Sequence, residues 1–288
     1  MGWEIKTVEK EYEDFPKKLQ NVKPTVEKLY YKGAFDESLF ENCLAVVGTR
    51  RITKYGKQVV EMLIHEVAAA GVTIVSGFMF GVDAAAHQAA LDVGGRTVAV
   101  MPCGIELIIP AYQEKLYYEI LENGGCVLSE IEGNLPPSRW TFASRNRVVA
   151  GLSKATLVIE GGEKSGTLIT AGYAKKYNRE ILAVPGPITS RMSAAPHKLI
   201  MEGAKIITRP ADILEIFNLR DKSKKSGEKL NTDSSGENKI IEILKQEPMT
   251  IDELSRELSI KAGELNTFLS KLELSGEITE ESGRYYLC

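Results

Sequence analysis

The sequence predicts an α/β protein in which a mostly parallel sheet with helices on both faces precedes a small second domain. Three observations lead to this prediction. Short apolar runs of strand length alternate with segments of helical spacing along the first 218 residues. These runs are apolar at nearly every position, as in strands buried on both faces of a parallel sheet. A polar stretch, residues 219–238, separates this body from residues 239–288.

The composition is that of an ordinary globular protein. The 288 residues carry 36 Lys and Arg against 39 Asp and Glu, and 43% are hydrophobic. These values exclude collagen-like, low-complexity and mostly disordered chains. No apolar run approaches the roughly 18 residues of a membrane span, and the first 13 residues lack a signal-peptide core. The four cysteines, Cys43, Cys103, Cys126 and Cys288, are far apart, so we expect reduced thiols in the cytoplasm.

Residues 1–40 precede the alternating pattern, and we predict an irregular or helical lead-in there. Residues 41–218 then form the sheet domain, and 219–238 a solvated linker. The predicted strands are 44–47, 72–75, 97–101, 126–128, 156–159, 181–184 and 205–207. Helical stripes and Ala-rich segments between them predict the crossovers that parallel strands require.

Residues 239–288 predict three helices and a hairpin, the pattern of a winged helix. Thr250 and Glu253 have capping-box spacing at the start of the second helix, and residues 282–283 read as the hairpin turn. Residues 237–288 hold 11 acidic and 6 basic residues, whereas the first 236 residues hold 30 basic and 28 acidic. Since phosphate binding needs Lys and Arg, we favour a protein-contact or regulatory role for this module over duplex binding.

The turn after the first predicted strand of the sheet is a candidate anion site. Residues 47–51 read VGTRR, and Lys54 and Lys57 follow at the start of a helix. A glycine lets backbone N–H groups approach a ligand, and a helix N-terminus adds partial positive charge. The alternative is an ordinary turn with solvated arginines. The Gly-x-Gly-x-x-Gly pattern of dinucleotide sites is absent, and we predict no cofactor.

Two further strand ends hold groups that could act in chemistry. The loop in residues 76–83 (SGFMFGVD) is bracketed by glycines, and His87 follows Asp83 by one helical turn. These two could form an acid–base or metal pair. Because no third ligand is evident, we favour a helix cap and a packed histidine, and predict no metal site. Cys103 has no identifiable base, so we interpret it as an inert thiol and predict no catalytic residue.

The segment 139–147 (RWTFASRNR) is the richest in potential ligand groups, with three arginines, two aromatic residues and an asparagine. Arginine binds phosphate bidentately, and aromatic rings stack on unpaired bases, so the combination suits single-stranded nucleic acid. The alternative is a helix whose aromatic side chains enter the core and whose arginines pair with carboxylates. Residues 42–60 and 133–159 each hold four Lys or Arg and no acid.

Residues 160–167 (EGGEKSGT) follow the fifth predicted strand of the sheet and precede a helix. Ser165 or Thr167 could cap that helix, and Gly166 would let a phosphate approach. This gives a second candidate anion site on the same edge of the sheet.

Taken in order, these motifs resemble the DNA-processing protein A family (DprA, also called Smf) from about residue 15 to 216. The string RNRxxAGLS at 145–153 is the most specific part. The other matching strings are VGTR at 47–50, YG at 55–56, VSG at 75–77, GVDAAAH at 81–87, LSE at 128–130, SGT at 165–167, TA at 170–171 and VPG at 184–186. One departure is Phe80, where the family usually has Arg or Lys.

The resemblance implies a Rossmann-like sheet domain, a winged-helix-like tail, homodimerisation and binding to single-stranded DNA with little sequence preference. It also implies a non-enzymatic recombination mediator that protects incoming strands and helps load a RecA-type recombinase in natural transformation. In that interpretation Arg50 and Arg139 contact phosphate, and Phe142, Arg145 and Arg147 line the same groove. The predicted DNA-binding residues are Gly48, Thr49, Arg50, Ser76, Gly77, Arg139, Phe142, Arg145, Asn146, Arg147, Ser165, Gly166 and Thr167.

Two alternatives stay open at this point. The glycine turns could hold a nucleotide or ribose phosphate in an enzyme, although no general acid or base is evident beside residues 165–171. The protein could also be an interaction scaffold that works through its winged helix.

Overall fold

The computed structural model describes residues 2–219, 235–245, 247–258, 260, 262–274, 276–281 and 283–287. The chain divides into two compact units, Met1–Asp221 and Lys222–Cys288. Most of the predicted linker, residues 220–234, lies outside the described residues.

The first unit alternates strands and helices as predicted. Its strands are β1 (Lys6–Glu9), β2 (Lys28–Gly33), β3 (Cys43–Val47), β4 (Thr73–Ser76), β5 (Thr97–Val100), β6 (Cys126–Ser129), β7 (Ala155–Val158), β8 (Glu180–Ala183) and β9 (Lys205–Ile206). Its helices are α1 (Glu37–Glu41), α2 (Lys54–Ala69), α3 (Val82–Asp92), α4 (Glu114–Glu122), α5 (Arg139–Leu152), α6 (Thr167–Lys176), α7 (Ala194–Met201) and α8 (Pro210–Leu214).

The nine strands form one sheet in the order β1-β2-β6-β5-β4-β3-β7-β8-β9. From β6 to β9 all neighbours are parallel, which confirms the mostly parallel Rossmann-like sheet. Successive strands are added on one side of β3 and then on the other, so the strand order reverses at β3. Open α/β sheets bind ligands outside the carboxyl ends of strands at such a reversal. The topology therefore directs attention to the edge where β3, β4 and β7 end.

The prediction of an irregular or helical lead-in for residues 1–40 is wrong. β1 pairs antiparallel with β2, and β2 pairs antiparallel with β6, so the lead-in extends the sheet by two strands. Their pattern is hard to find in the sequence because the strands are short and mostly half-exposed, with buried positions confined to Val8, Leu29 and Tyr30. Their position follows from the free edge of β6, whose backbone groups need hydrogen-bond partners.

The sheet buries apolar side chains on both faces. Along β3, Leu44 and Val46 pack with α2, α3 and α8, whereas Ala45 and Val47 pack with α5 and the segment before β2. This alternation, with every β3 residue buried, explains why the strand reads as one continuous apolar run.

The second unit contains α9 (Ser235–Leu244), β10 (Met249–Thr250), α10 (Ile251–Leu258), α11 (Ala262–Leu274), β11 (Ile278–Glu281) and β12 (Arg284–Leu287). Its own core includes Leu254, Leu265 and Leu269. The predicted capping box is present, since Thr250 Oγ1 accepts from the Glu253 N–H at 3.3 Å and Glu253 Oε2 from the Thr250 N–H at 2.8 Å. The predicted winged helix is confirmed, with Ser282 outside the described residues. Within the described parts of both units, no helix has the length and apolar character of a membrane span.

Candidate nucleic-acid interface

A cavity of about 290 Å³ opens at the carboxyl ends of β3 and β4, between the N-terminal halves of α5 and α6. We call it the edge pocket. It is lined by Val47, Gly48, Thr49, Arg50, Gly77, Met79, Asp83, Arg139, Phe142, Ala143, Arg145, Asn146, Val149, Ser165, Gly166, Thr167, Ile169 and Thr170. Eleven of the thirteen predicted site residues line it; Ser76 and Arg147 do not.

The turn after β3 bonds two of its backbone N–H groups inside the protein and presents the Arg50 side chain to the pocket. The Thr49 N–H donates to the Glu160 carbonyl oxygen at 2.8 Å, and the Arg51 N–H donates to Thr49 Oγ1 at 3.1 Å. These two N–H groups are therefore already bonded within the protein. Arg50 is exposed at the pocket wall, where its guanidinium is available to bind an anion.

The N-terminus of α2 already has an anion from the protein itself. The buried Glu160 carboxylate accepts from the Thr53 N–H at 2.9 Å and from Thr53 Oγ1 at 2.6 Å. Thr53 in turn caps α2 by accepting from the Gly56 N–H at 3.1 Å. Because a carboxylate stabilises a helix N-terminus, Glu160 occupies the place that the sequence suggested for a ligand.

Helix α5 places an aromatic ring beside Arg50. Ser138 and Thr141 form a capping box, with Ser138 Oγ accepting from the Thr141 N–H at 3.3 Å. This fixes the start of the helix, from which Phe142 reaches the pocket. The Arg50 guanidinium lies 4.7 Å from the centroid of the Phe142 ring, in cation–π geometry. Arg139 lines the same pocket from the first residue of the helix and is exposed.

The other two arginines of α5 are used inside the protein. Arg145 is 6% exposed and donates to the carbonyl oxygens of Gly77 and Val100. Burial lowers the pKa of Arg145 to about 10, and the neighbouring Asp83 carboxylate opposes that shift, so the guanidinium is still charged at neutral pH. Its position fixes the loop after β4, and Gly77 is required there because a Cβ would collide with the guanidinium.

Arg147 points away from the pocket, because its guanidinium is committed to Glu130. It donates to both Glu130 oxygens at 2.6 Å, and to the carbonyl oxygens of Pro24 at 3.0 Å and Thr25 at 3.2 Å. Burial raises the pKa of the Glu130 carboxyl, and the Arg147 charge opposes that rise. Ser76 is also internal, since its buried hydroxyl donates to the Val46 carbonyl at 2.6 Å.

Asp83 and His87 each bond to a different group inside the protein. Asp83 is buried in the first turn of α3 and accepts from the Met79 N–H at 3.2 Å; the N-cap is Gly81, so Asp83 is not the predicted cap. Burial raises the pKa of Asp83, and Arg145 opposes the rise. His87 Nδ1 lies 2.6 Å from Thr97 Oγ1, whose proton goes to a backbone carbonyl, so Nδ1 is the donor. Burial lowers the pKa of His87 to about 3, which keeps it neutral.

The segment before α6 contributes the opposite wall. Ser165 Oγ accepts from the Thr167 N–H at 3.2 Å. The N-cap of α6 is Gly166, without a side-chain cap bond, so neither Ser165 nor Thr167 is the predicted cap. Gly166 is exposed, and its position leaves room around the Cα atom. Together with the positive end of α6, Ser165, Gly166 and Thr167 offer polar groups to the pocket.

None of the three cysteines that the structure describes lines the edge pocket. Cys43, Cys103 and Cys126 are buried and unpaired, and Cys288 lies outside the described residues. Burial raises the pKa of Cys103 to about 11, as expected of an inert thiol. Among the described residues no cluster of His, Cys, Asp and Glu could hold a metal ion.

Sequence reasoning missed several lining residues, namely Met79, Ala143, Val149, Ile169 and Thr170. Two of them could have been found from the helical period of the sequence. Ala143 and Val149 lie on the helical face that also carries Phe142 and Asn146, by the 3.6-residue period of α5. The arrangement as a whole combines two exposed arginines, an aromatic ring and a helix start around one cavity. Such a site can hold a phosphate and a stacked base.

Comparison with known proteins follows the same two units. Residues 6–218 match the family described as DNA recombination-mediator protein A, and residues 224–284 match the DprA winged helix domain. Protein Smf of Escherichia coli is 43% identical over 172 residues, which are 60% of this chain and 46% of that protein. A putative DNA processing protein DprA of Mycobacterium tuberculosis is 37% identical over 84% of this chain and 63% of that protein. The chain thus spans about half to two thirds of these relatives.

Two solved structures share the architecture. DNA processing protein A of Streptococcus pneumoniae superposes with a TM-score of 0.69 at 35% identity, covering 74% of each chain. The Helicobacter pylori protein superposes with a TM-score of 0.67 at 32% identity, covering 75% of this chain and 96% of that one. The Helicobacter structure was described for its single-stranded DNA binding mode.

Proposed function

This chain belongs to the DNA recombination-mediator protein A family, and from that premise we propose that it binds single-stranded DNA at the edge pocket. The observation that carries the proposal is the exposed Arg50 guanidinium stacked on Phe142 at the pocket wall. The guanidinium offers hydrogen bonds to a phosphate while the ring keeps it oriented. The described single-stranded DNA binding mode of the Helicobacter pylori relative supports the same ligand.

The free cations around the pocket support a phosphate ligand. Arg50, Arg51, Lys54 and Lys57 are all exposed. Within the part of the chain that the structure describes, none of the four has an ion-pair partner. Unpaired cations lose little when they exchange water for phosphate, and they release condensed counterions from the nucleic acid.

We assign three kinds of role to the predicted residues. Direct ligand contacts come from Gly48, Thr49, Arg50, Arg139, Phe142, Asn146, Ser165, Gly166 and Thr167. Gly77 and Arg145 shape the pocket floor, because Arg145 ties the loop after β4 to β5. Ser76 and Arg147 act from behind the pocket by fixing β4 and α5.

A binding role fits the pocket better than the nucleotide-processing enzyme considered above. The carboxylate among its described lining residues is Asp83, which is buried and accepts from the Met79 N–H. A general base needs access to the proton that it removes. We therefore propose a mediator without catalysis of its own, which protects incoming single strands and helps a RecA-type recombinase to assemble on them in natural transformation.

We also propose that the protein acts as a homodimer. Large apolar side chains left in water support an interface of this kind, since Ile188 is 92% and Met201 81% exposed. Light scattering across a concentration series measures the mass of the particle. A mass of one chain at all concentrations would contradict the homodimer.

Fluorescence polarisation of labelled oligo-dT across a salt series tests DNA binding. We expect tighter binding than to duplex of equal length, with a log–log salt slope of about −0.7 per neutralised phosphate. The double variant Arg50→Ala, Arg139→Ala should flatten the slope by about 0.7 per arginine.

The matched control removes the same charge elsewhere. Lys6→Ala with Lys10→Ala changes one cation in the edge strand β1 and one directly after it, and should leave the slope as it is. Equal slopes for both double variants, or equal affinity of the unmodified protein for duplex, would contradict the site.

A further inference from the structure

An exposed pair of aromatic rings lies beside the turn that carries Arg50. The rings of Phe80 and Tyr112 are stacked, with centroids 5.2 Å apart and an interplanar angle of 7°. Phe80 is 38% exposed and Tyr112 is 72% exposed, so much of both rings faces water. The pair is therefore an outward-facing flat surface rather than part of the core.

The backbone joins this pair to the phosphate-binding turn. Gly81 packs so closely on the backbone of Thr49 and Arg50 that a Cβ would collide with both. Gly81 also has φ +75, a conformation that glycine adopts without strain. The Val82 N–H donates to the Thr49 carbonyl at 3.1 Å. Phe80 is thus one residue from a fixed contact with the turn.

The two segments that carry the rings are also tied to each other. Phe78 is completely buried, and its carbonyl oxygen accepts from Gln113 Nε2 at 3.2 Å. Gln113 is itself buried and follows Tyr112 directly. Each ring is therefore next to an anchored residue, so the backbone that carries the stacked pair is held in place.

We propose that the free face of Tyr112, supported from behind by Phe80, stacks on an unpaired base of the DNA strand whose phosphate is held by Arg50. The inference rests on the proposed function and adds a second contact to it, outside the edge pocket. Tyr112 takes the base because it is the more exposed of the two rings. Bases of a single strand offer free faces for such stacking, whereas in duplex they are covered by their neighbours.

The test uses the full chain and an oligo-dT that carries one 2-aminopurine, a base whose fluorescence is quenched by stacking. The unmodified protein should quench the probe. Tyr112→Ala should abolish most of the quenching and weaken binding at least about fivefold, as expected for the loss of one stacked base. Its salt slope should stay unchanged, because no phosphate contact is lost. Phe80→Leu should reduce the quenching less than Tyr112→Ala, because it removes the ring behind Tyr112 and keeps the ring that stacks on the base.

Two further variants make the result specific. Tyr118→Ala removes an exposed tyrosine from the nearby helix α4 and should leave quenching and affinity unchanged. Tyr112→Trp keeps a stacking face and should preserve the quenching.

The outcomes separate this inference from the proposed function. In one outcome, the double variant Arg50→Ala, Arg139→Ala flattens the salt slope while Tyr112→Ala still quenches the probe and binds like the unmodified protein. That result would overturn base stacking on Tyr112 and leave DNA binding at the edge pocket in place. If the unmodified protein does not bind oligo-dT, both are overturned.

Discussion

The turn after β3 and helix α5 both carry several arginines but use them in opposite ways. In the turn, Arg50 and Arg51 are exposed and have no ion-pair partner in the described part of the chain. In α5, Arg145 and Arg147 are buried and bonded to backbone carbonyls and a carboxylate, and Arg139 alone of the three stays exposed. The difference teaches that the charge a site offers is set by its free guanidinium groups, not by its arginine count.

The largest expected loss of stability comes from replacing Arg145, which is buried in α5. Arg145→Met removes the bonds to Gly77 and Val100 and leaves Asp83 buried without its neighbouring charge. Removing one partner of a buried charged pair costs about 3–5 kcal/mol of unfolding free energy. Urea denaturation at pH 7 measures it.

The matched variant in the same helix is Arg139→Met, which should change stability by less than about 0.5 kcal/mol because that side chain is exposed. If both substitutions cost the same, the division of α5 into internal and free arginines does not hold.

A smaller loss is expected for Arg147→Met, about 2 kcal/mol, since its partner Glu130 is partly exposed and can take up a proton. The pKa of Glu130 should rise further in the variant, because the Arg147 charge that opposes the rise is gone. A carboxyl whose pKa is higher in the folded state than in the unfolded state destabilises the protein increasingly as the pH rises above the pKa of the unfolded state. The loss should therefore be larger at pH 7 than at pH 4, where the carboxyl is mostly protonated.

A double-mutant cycle with Glu130→Gln isolates the pair. The double variant should lose less stability than the two single losses added together. Additive losses at pH 7 would mean that the two side chains do not interact.

The sheet was predictable from local sequence because each central strand is buried on both faces and reads as a continuous apolar run. The contacts that other parts of the chain make around the candidate site were not predictable in this way. Glu160 occupies the N-terminus of α2 from the end of β7, a contact made across 107 positions of sequence. The two lead-in strands were not predicted for a related reason, because β2 pairs with β6, which lies far along the chain. Such contacts depend on topology, which a motif at one strand end does not encode.

Within α5, more could be predicted than residue types alone suggest. Arg139, Phe142 and Asn146 recur at the spacing of one helical face, and all three line the edge pocket. At 100° per residue, Arg147 lies about 80–140° around the helix from these three residues, which agrees with its contact with Glu130 instead. Helical phase therefore separates the ligand-facing arginine from this internal one, whereas the burial of Arg145 required the structure.

The smallest expected effect on stability belongs to the turn after β3. Arg51 and Lys57 line one shallow surface depression with Arg50, and both are exposed. Arg51→Ala with Lys57→Ala should change the free energy of unfolding by less than about 0.5 kcal/mol, because no described partner is lost. The same variant should flatten the oligo-dT salt slope by up to about 0.7 per lost phosphate contact. A stability loss as large as that of Arg147→Met, with an unchanged salt slope, would mean that Arg51 and Lys57 stabilise the fold and do not bind DNA. The contrast with α5 would then not hold.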